Sequence, residues 1–230
     1  MNPYIFFCGK QIPSYSLLGV VGFLVGLIHI FCVCKKKSLS FDDALYIYVF
    51  GMLGAISFSK ILYVAVNLET IIKLIQLKTV DIVEIVMTYI RGGMIFFGGL
   101  YGAIFMAFIC AHYLNINIKK YYAPLLPAMA IVAGFGRIGC FLTGCCYGRV
   151  TNGLCGVVFH KSEIAPNGIP LIPVQIYEAG FDIFLFLAIM WICNHTKWVF
   201  YGCYIYILMY SMFRFVLEFY RGDRDRKSVV

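Results

Sequence analysis

Six long apolar runs constrain the fold of this chain more than any other feature of its sequence. They cover Tyr15–Cys34, Ala44–Asn67, Arg91–Leu114, Tyr122–Phe141, Val174–Cys193 and Val199–Tyr220. About 20 apolar residues in a helix cross the hydrocarbon core of a bilayer, and a helix satisfies its own backbone hydrogen bonds there. The runs therefore predict an all-α integral membrane protein with six transmembrane helices, or seven at most.

Composition supports the same class of protein. The 230 residues are 62% hydrophobic and 13% charged, whereas about 25% charged residues is usual for soluble domains. We expect a single polytopic domain over residues 1–230. The net charge is +8, but the basic residues lie mostly at helix ends, which favours membrane topology and anionic head groups over nucleic acid.

Two segments between the spans differ from the rest. Leu68–Ile90 is apolar but interrupted by charges, which predicts an amphipathic arm (68–90) lying at the membrane interface; a short soluble loop helix is the alternative. Gly144–Ile172 is rich in Gly, Pro and Asn, which predicts an extracytoplasmic loop subdomain (144–172) between spans 4 and 5.

Basic residues in the short loops predict the orientation. With six spans, one side of the membrane receives Lys35, Lys36, Lys37, Lys119, Lys120 and Lys197. The positive-inside rule makes that side cytoplasmic and places both termini outside. The basic tail that begins at Arg221 argues the opposite way.

Ionisable residues inside the spans gather in the half of the membrane opposite those loops. They are Lys60, Arg91, Arg137, Glu178 and Arg214. On the fifth span Gln175, Glu178 and Asp182 share one helical face, and on the sixth Arg214, Glu218 and Arg221 do so. Lipid offers such groups no hydrogen bonds, so both faces must look inward.

These inward faces favour an anion site. Arginine binds phosphate through a two-pronged fork, so Arg137 and Arg214 indicate a site for an anionic phospholipid. Structural ion pairs with Glu178 and Glu218 are the alternative. The glycines in Gly92-Gly93 and Gly98-Gly99 could let backbone N–H groups approach a head group, or could serve close helix packing.

The stretch Gly134–Arg149 adds a cluster of cysteines. Cys145 and Cys146 lie near arginines in sequence, and adjacent cations favour thiolate. A disulfide on the outer face stays open. A metal site that also used Cys140 and Cys155 would match no familiar spacing of paired ligands, so we expect no metal and no cofactor.

Five segments, in order and taken together, carry a family resemblance: Arg91–Leu100, Ala123–Pro127, Gly136–Arg149, Pro173–Glu178 and Tyr210–Arg221. They are similar to the signatures of the prolipoprotein diacylglyceryl transferase family. The resemblance implies transfer of a diacylglyceryl group from phosphatidylglycerol to the lipobox cysteine of a prelipoprotein signal peptide. It also implies a multi-pass protein of the bacterial cytoplasmic membrane with its active site on the extracytoplasmic side.

Roles follow from the same resemblance. Arg137 and Arg214 would hold the phosphate and stabilise the charge of the leaving group. Tyr15 and Tyr210 would orient the head group or the substrate, and Tyr210 is grouped with the two arginines as a catalytic residue. Gly148 would lie in a loop near the site. The other candidate substrate-binding residues are Lys60, Arg91, Gly98, Gly99, Cys140, Cys145, Arg149, Gln175, Glu178, Glu218 and Arg221.

The chain departs from the family pattern at four positions. Phe97 and Ile172 stand where the family has histidines, Cys140 stands for an asparagine and Cys145 for a glutamate. Three hypotheses therefore remain. The chain catalyses the family reaction, it uses the phospholipid site for a different cysteine-assisted lipid modification, or it is a non-enzymatic lipid-binding or transport protein. The last would need a polar path through the inner half of the spans, which shows none.

Overall fold

The computed structural model describes residues 4–7, 10–77, 81–91, 93–153, 155–162, 164–195 and 199–222. Its helices are α1 (Ser14–Lys37), α2 (Phe41–Val66), α3 (Leu68–Leu77), α4 (Ile82–Arg91), α5 (Phe96–Tyr113), α6 (Tyr122–Thr143), α7 (Val174–His195) and α8 (Val199–Glu218). The strands are β1 (Tyr4–Phe7), β2 (Lys10–Pro13), β3 (Val157–Val158) and β4 (Pro170–Leu171). The strands form two short antiparallel pairs, β1 with β2 and β3 with β4.

Five helical segments are long and apolar enough to cross a membrane. They are Ser14–Lys37, Phe41–Val66, Phe96–Tyr113, Ile118–Thr143 and Val174–His195. The prediction of an all-α multi-pass membrane protein is thereby confirmed. Helix α8 also forms where the sixth span is predicted and has 20 residues, but it is not among the five, so the total of six spans stays a prediction. A seventh span stays a prediction as well.

The chain divides into two compact units. A first unit comprises Met1–Leu39 and Tyr121–Val230, and a second comprises Ser40–Lys120. Within the second unit, α2 begins as its sequence predicts, because the Ser40 side chain accepts a hydrogen bond from the backbone N–H of Asp43 at 3.3 Å. This contact satisfies one of the amide groups that every helix start leaves without a partner.

The start of the third predicted span is wrong. Arg91 does not open it; it is the last residue of α4, and α5 begins at Phe96. Residues 93–95 lie outside both helices, and the backbone of Ile95 is extended. Ser59 Oγ donates to the Ile95 carbonyl at 2.8 Å, and Gly93 fits against the ring of Tyr63. The segment 68–90 forms two helices, α3 and α4; its position at a membrane interface stays a prediction.

Glycines bring α2 and α5 into close contact within the second unit. A Cβ on Gly98 would lie 2.6 Å from the Phe58 carbonyl oxygen, and Gly54 and Gly102 meet at each other's backbone. The glycine pair at 98–99 was predicted either to approach a head group or to allow close helix packing. At Gly98 these contacts support close helix packing. Lys60 lies nearby and donates to the Gly93 carbonyl at 3.3 Å.

The first unit is a helical bundle with tight contacts on both sides of α6. Gly22 of α1 lies against Phe135, and Gly134 lies against Asp182 and Ala179 of α7. The C-terminal ends of α1 and α7 are joined by a hydrogen bond, in which Lys37 Nζ donates to the Cys193 carbonyl at 2.6 Å. The buried apolar cluster of this bundle includes Val33, Ala130, Leu185 and Ile189, and His29 of α1 is buried as well.

The loop after α6 has a small core of its own. Val157 and Val158 pair with Leu171 and Pro170 in the β3–β4 sheet, and Phe159 is buried beside Leu171 with Phe141 packed against them. The extracytoplasmic placement of this loop stays a prediction.

Candidate active site

Four helix ends meet at one end of the first unit and bring its polar residues together. They are the start of α1, the end of α6, the start of α7 and the end of α8, which carry Tyr15, Arg137, Glu178 and Arg214 respectively. Residues far apart in the sequence thus form one site, because neighbouring helices of the bundle run in opposite directions.

A chain of ion pairs forms the centre of the site. Arg137 Nε lies 3.1 Å from Glu178 Oε2, and Arg214 Nη1 is hydrogen-bonded to Glu178 Oε1. Arg214 Nη2 also lies 3.5 Å from Glu218 Oε2. The Glu178 side chain is 3% exposed, so it is paired with two cations as a buried carboxylate requires.

The helical faces predicted from spacing are thereby brought together. Gln175, Glu178 and Asp182 are all buried on α7, and Glu218 pairs with Arg214 one turn earlier on α8. The expected surplus of cations over acids is modest here, since both central arginines contact Glu178. A guanidinium has five N–H donors, however, and the contact of Arg137 with Glu178 uses only Nε.

Two tyrosines and an acid line the same region. Tyr15 packs on Gly139, where an added Cβ would lie 3.0 Å from its ring. Tyr210 lies within electrostatic range of Arg137, and its ring stacks on Tyr206 at 5.9 Å. Asp182 is 1% exposed, and neither carboxylate oxygen has a hydrogen-bond partner among the described residues.

Three cysteines form a compact thiol cluster beside the arginines. The Sγ atoms of Cys140, Cys145 and Cys146 all lie within 4.8 Å of one another. Cys140 is buried in the last turn of α6, while Cys145 and Cys146 are partly exposed in the turn that follows. We call these three residues the thiol cluster.

Several hydrogen bonds fix Cys145. Gln175 Nε2 donates to its carbonyl at 2.7 Å, and Thr143 Oγ1 lies 3.4 Å from its Sγ. Side-chain hydrogen bonds with Cys140 and Cys146 lower the pKa of the Cys145 thiol, with smaller contributions from Thr143 and from the charge of Arg137. The Gln175 side chain is thus hydrogen-bonded to the backbone of Cys145. A contact of Gln175 with substrate stays a prediction.

A short ladder of backbone hydrogen bonds joins the chain after the thiol cluster to residues near the start of α7 and the end of α8. Gly148 N–H donates to the Ile172 carbonyl at 3.0 Å, and Arg149 N–H donates to the Tyr220 carbonyl at 2.9 Å. Gly148 also forms a β-bridge with Arg221. The predicted residues Gly148, Arg149 and Arg221 are therefore neighbours, although 72 positions separate the last two.

Four predicted substrate-binding residues belong to the second unit. They are Lys60, Arg91, Gly98 and Gly99. Gly98 faces α2, and Lys60 bonds to Gly93 as described above. Their contact with substrate stays a prediction.

Sequence reasoning left out four members of the site. They are Thr143, Tyr206, Cys146 and Asp182, although Cys146 was noted as a cysteine whose thiolate form is favoured and Asp182 was placed on the inward face of the fifth span. Thr143 precedes Gly144 at the helix end, and a hydroxyl there bonds to carbonyls of its own last turn. That position is the only sequence signal that could have indicated its contact with Cys145.

Fold and site together define a polytopic membrane protein with a buried arginine–carboxylate centre at one end of a helical bundle. The family model for prolipoprotein diacylglyceryl transferase matches residues 3–229. The chain belongs to the prolipoprotein diacylglyceryl transferase family.

Named relatives agree with this assignment. A phosphatidylglycerol–prolipoprotein diacylglyceryl transferase of Clostridium tetani is 31% identical, over 97% of this chain and 86% of its own length. One from Rickettsia bellii is 31% identical over 96% of this chain and 82% of its own. The second such enzyme of Clostridium perfringens is 28% identical over 94% of this chain and 81% of its own.

Proposed function

We propose that this protein transfers a diacylglyceryl group from phosphatidylglycerol to the cysteine thiol of a prelipoprotein. One observation carries the proposal. Arg137 and Arg214 come from different helices and converge on the buried carboxylate of Glu178. This is an anion-binding arrangement in a chain matched by the transferase family over nearly its whole length.

The donor phosphate is the natural ligand for these arginines. In the transfer, the acceptor thiol gives up its proton to water, and its sulfur forms a C–S bond to the glyceryl carbon. The C–O bond to phosphate breaks, and glycerol phosphate leaves with an added negative charge. Arg137 and Arg214 bind the phosphate and stabilise that charge as it develops. Guanidinium groups suit this role because they bind phosphate oxygens in pairs.

The other residues of the site support these two arginines. Glu178 holds them at a fixed separation, and Glu218 holds Arg214 from the other side. Tyr15 and Tyr210 orient the head group. Arg149 and Arg221, joined through a hydrogen bond from Arg149 Nε to the Arg221 carbonyl at 3.4 Å, form a basic entrance for the anionic donor.

The protein works in the bacterial cytoplasmic membrane with this site toward the extracytoplasmic side. Support comes from α1, whose first turn carries Tyr15 and whose last turn carries Lys35, Lys36 and Lys37. Short basic loops stay in the cytoplasm, so the opposite end of α1 faces outward. The loop 144–172 is then extracytoplasmic, and the arm 68–90 lies at the membrane interface.

Transfer to a lipobox peptide tests the function. Purified protein is mixed with phosphatidylglycerol micelles and a peptide that contains one cysteine, and the thioether product is measured by mass spectrometry. Arg137→Ala should lower the rate at least about 100-fold, the loss seen when one such stabilising group is removed. Lys119→Ala, an exposed lysine beyond α5, is the control. A folded wild-type protein that gives no thioether would refute the proposal.

A further inference from the structure

The thiol cluster is the part of the site that the arginine chemistry leaves unused. We propose that Cys140, Cys145 and Cys146 bind one Zn²⁺ ion, and that the acceptor thiol takes the fourth coordination position. The acceptor half of this inference rests on the proposed function. It revises the expectation of no metal, which was drawn from spacing in the sequence alone.

The distances suit a zinc site. The three Sγ atoms lie within 4.8 Å of one another. Zn–S bonds of about 2.3 Å in a tetrahedron place sulfur atoms about 3.8 Å apart. Rotation of partly exposed side chains at Cys145 and Cys146 closes this gap, while the buried Cys140 stays in place.

Hydrogen bonds and a tight turn fix the backbone around the thiol cluster. The Cys140 carbonyl accepts hydrogen bonds from the N–H groups of Gly144 at 2.9 Å and Cys145 at 3.1 Å. Gly144 adopts a left-handed φ of 79° and Cys146 one of 56°, an uncommon conformation for a residue with a side chain. This tight turn is what brings two consecutive thiols to the same side as Cys140.

Three ligands leave one position of a tetrahedron available. Among the residues that the structure describes, the group contains no fourth His, Cys, Asp or Glu, and Cys155 is exposed outside it. Three protein ligands with one open position is the arrangement of catalytic zinc, whereas structural zinc takes four. Soft thiolates also select zinc over magnesium or calcium.

Arg137 attracts the negative charge that this site would carry. Three thiolates around Zn²⁺ carry one net negative charge, and an acceptor thiolate raises this to two. Arg137 lies within electrostatic range of all three cysteines, so its guanidinium attracts this charge as well as the carboxylate of Glu178. The same guanidinium thus connects the acceptor half of the site with the donor half.

The step is a thiol alkylation without any change of oxidation state. The acceptor S–H loses its proton to water on coordination, as a thiol bound to zinc does. The sulfur lone pair forms the C–S bond to the glyceryl carbon, and the C–O electron pair passes to the phosphate oxygen. This route activates the thiol in a chain that has Phe97 and Ile172 where the family has histidines.

Cobalt binding tests the metal site independently of activity. The full-length protein in detergent, reduced and stripped with chelator, is titrated with Co²⁺. We expect one Co²⁺ per chain, thiolate-to-cobalt charge transfer in the near ultraviolet, tetrahedral d–d bands, and displacement by Zn²⁺. Absence of the charge-transfer bands would overturn the proposal.

Single variants assign the ligands. Cys146→Ser should weaken Zn²⁺ binding at least about 100-fold, since even outer-shell changes cost 10–100-fold, whereas Cys155→Ser should leave it unchanged. If Cys146→Ser does not fold, alkylation of wild-type protein decides the point. Zinc should protect the thiol cluster and leave Cys155 reactive, and equal labelling of all four would contradict the assignment.

A lipobox peptide tests the acceptor position. A peptide with cysteine should shift the Co²⁺ bands, and its serine counterpart should not; no shift with either peptide refutes the acceptor half. The transfer assay separates the two proposals. Full transfer by metal-free protein refutes the zinc proposal and leaves the function standing. A cysteine-specific shift without any transfer refutes the proposed function and leaves the metal site standing.

Discussion

The Glu178 carboxylate lies 3.1 Å from Arg137 Nε and is 3% exposed. Its second oxygen binds Arg214, so a single acid joins two cations that come from different helices. Removing one partner of a buried pair leaves charge without compensation. The acid therefore determines both the stability of this end of the bundle and the separation of its arginines.

Glu178→Gln should affect stability and activity together. The amide keeps the shape but loses the charge, and the two arginines then repel each other. We expect the free energy of unfolding to fall by about 3–5 kcal/mol and thioether formation to fall at least about tenfold. Thermal unfolding in detergent and the peptide assay measure the two effects.

The second unit offers a matched control. Glu69 and Lys73 form an exposed pair at 2.6 Å on one face of α3. Exposed pairs contribute about 0–1 kcal/mol, so Glu69→Gln should leave both measurements nearly unchanged. If Glu178→Gln behaved like Glu69→Gln, the ion-pair centre would have no structural role.

Gly148→Ala should disrupt the backbone ladder. A Cβ there would lie 2.5 Å from the Ile172 carbonyl oxygen and 2.7 Å from Val174 Cγ2. We expect a loss of about 1–3 kcal/mol from the forced shift, with lower transfer activity. Gly180→Ala is the control, because a Cβ there meets nothing within 4 Å. Equal stability of the two variants would count against a closed ladder.

Neighbouring glycines of α5 separate packing from head-group binding. A Cβ on Gly98 would lie 2.6 Å from the Phe58 carbonyl oxygen, whereas on Gly99 the nearest atom, the Ala55 carbonyl oxygen, is 3.4 Å away. Gly98→Ala should therefore lower the unfolding temperature, and Gly99→Ala should be tolerated. A Gly99→Ala variant with normal stability and a raised KM for phosphatidylglycerol would instead place the head group at this glycine.

Orientation is testable with fusions of alkaline phosphatase, which folds to its active form only outside the cytoplasm. A fusion after Lys37 should be inactive, because the proposed topology places this basic end of α1 in the cytoplasm. A fusion after Asn152, in the loop that follows α6, should be active. The reverse pattern would invert the proposed topology and place the arginines toward the cytoplasm.

Helix positions were largely predictable, since long apolar runs in a membrane protein have few alternatives to a helix. The start of α5 was not, because the apolar run continues through residues 93–95, whereas the structure keeps these residues out of the helix, with contacts to Ser59 and Tyr63. The thiol cluster was not predicted, for a related reason. Its geometry depends on the left-handed turn at Gly144 and Cys146, and ligand spacing along the chain does not report that turn.

The arginine–carboxylate centre was predictable in part. Helical spacing predicted that Glu178 and Arg214 face inward, because lipid offers them no partners. Spacing does not say which helices are neighbours, so the sharing of Glu178 between Arg137 and Arg214 could only come from the fold. The gathering of these charges in one half of the membrane was the closest sequence signal.

The ladder at Gly148 and Arg149 is made of main-chain hydrogen bonds to Ile172 and Tyr220. Bonds of this kind do not depend on which side chains the residues carry, provided that the amides are present and Gly148 stays small. The loop can therefore exchange its chemical groups while its path stays the same. Such a frame allows Cys145, in the turn before the ladder, to occupy a position that holds glutamate in the family pattern, with the architecture retained.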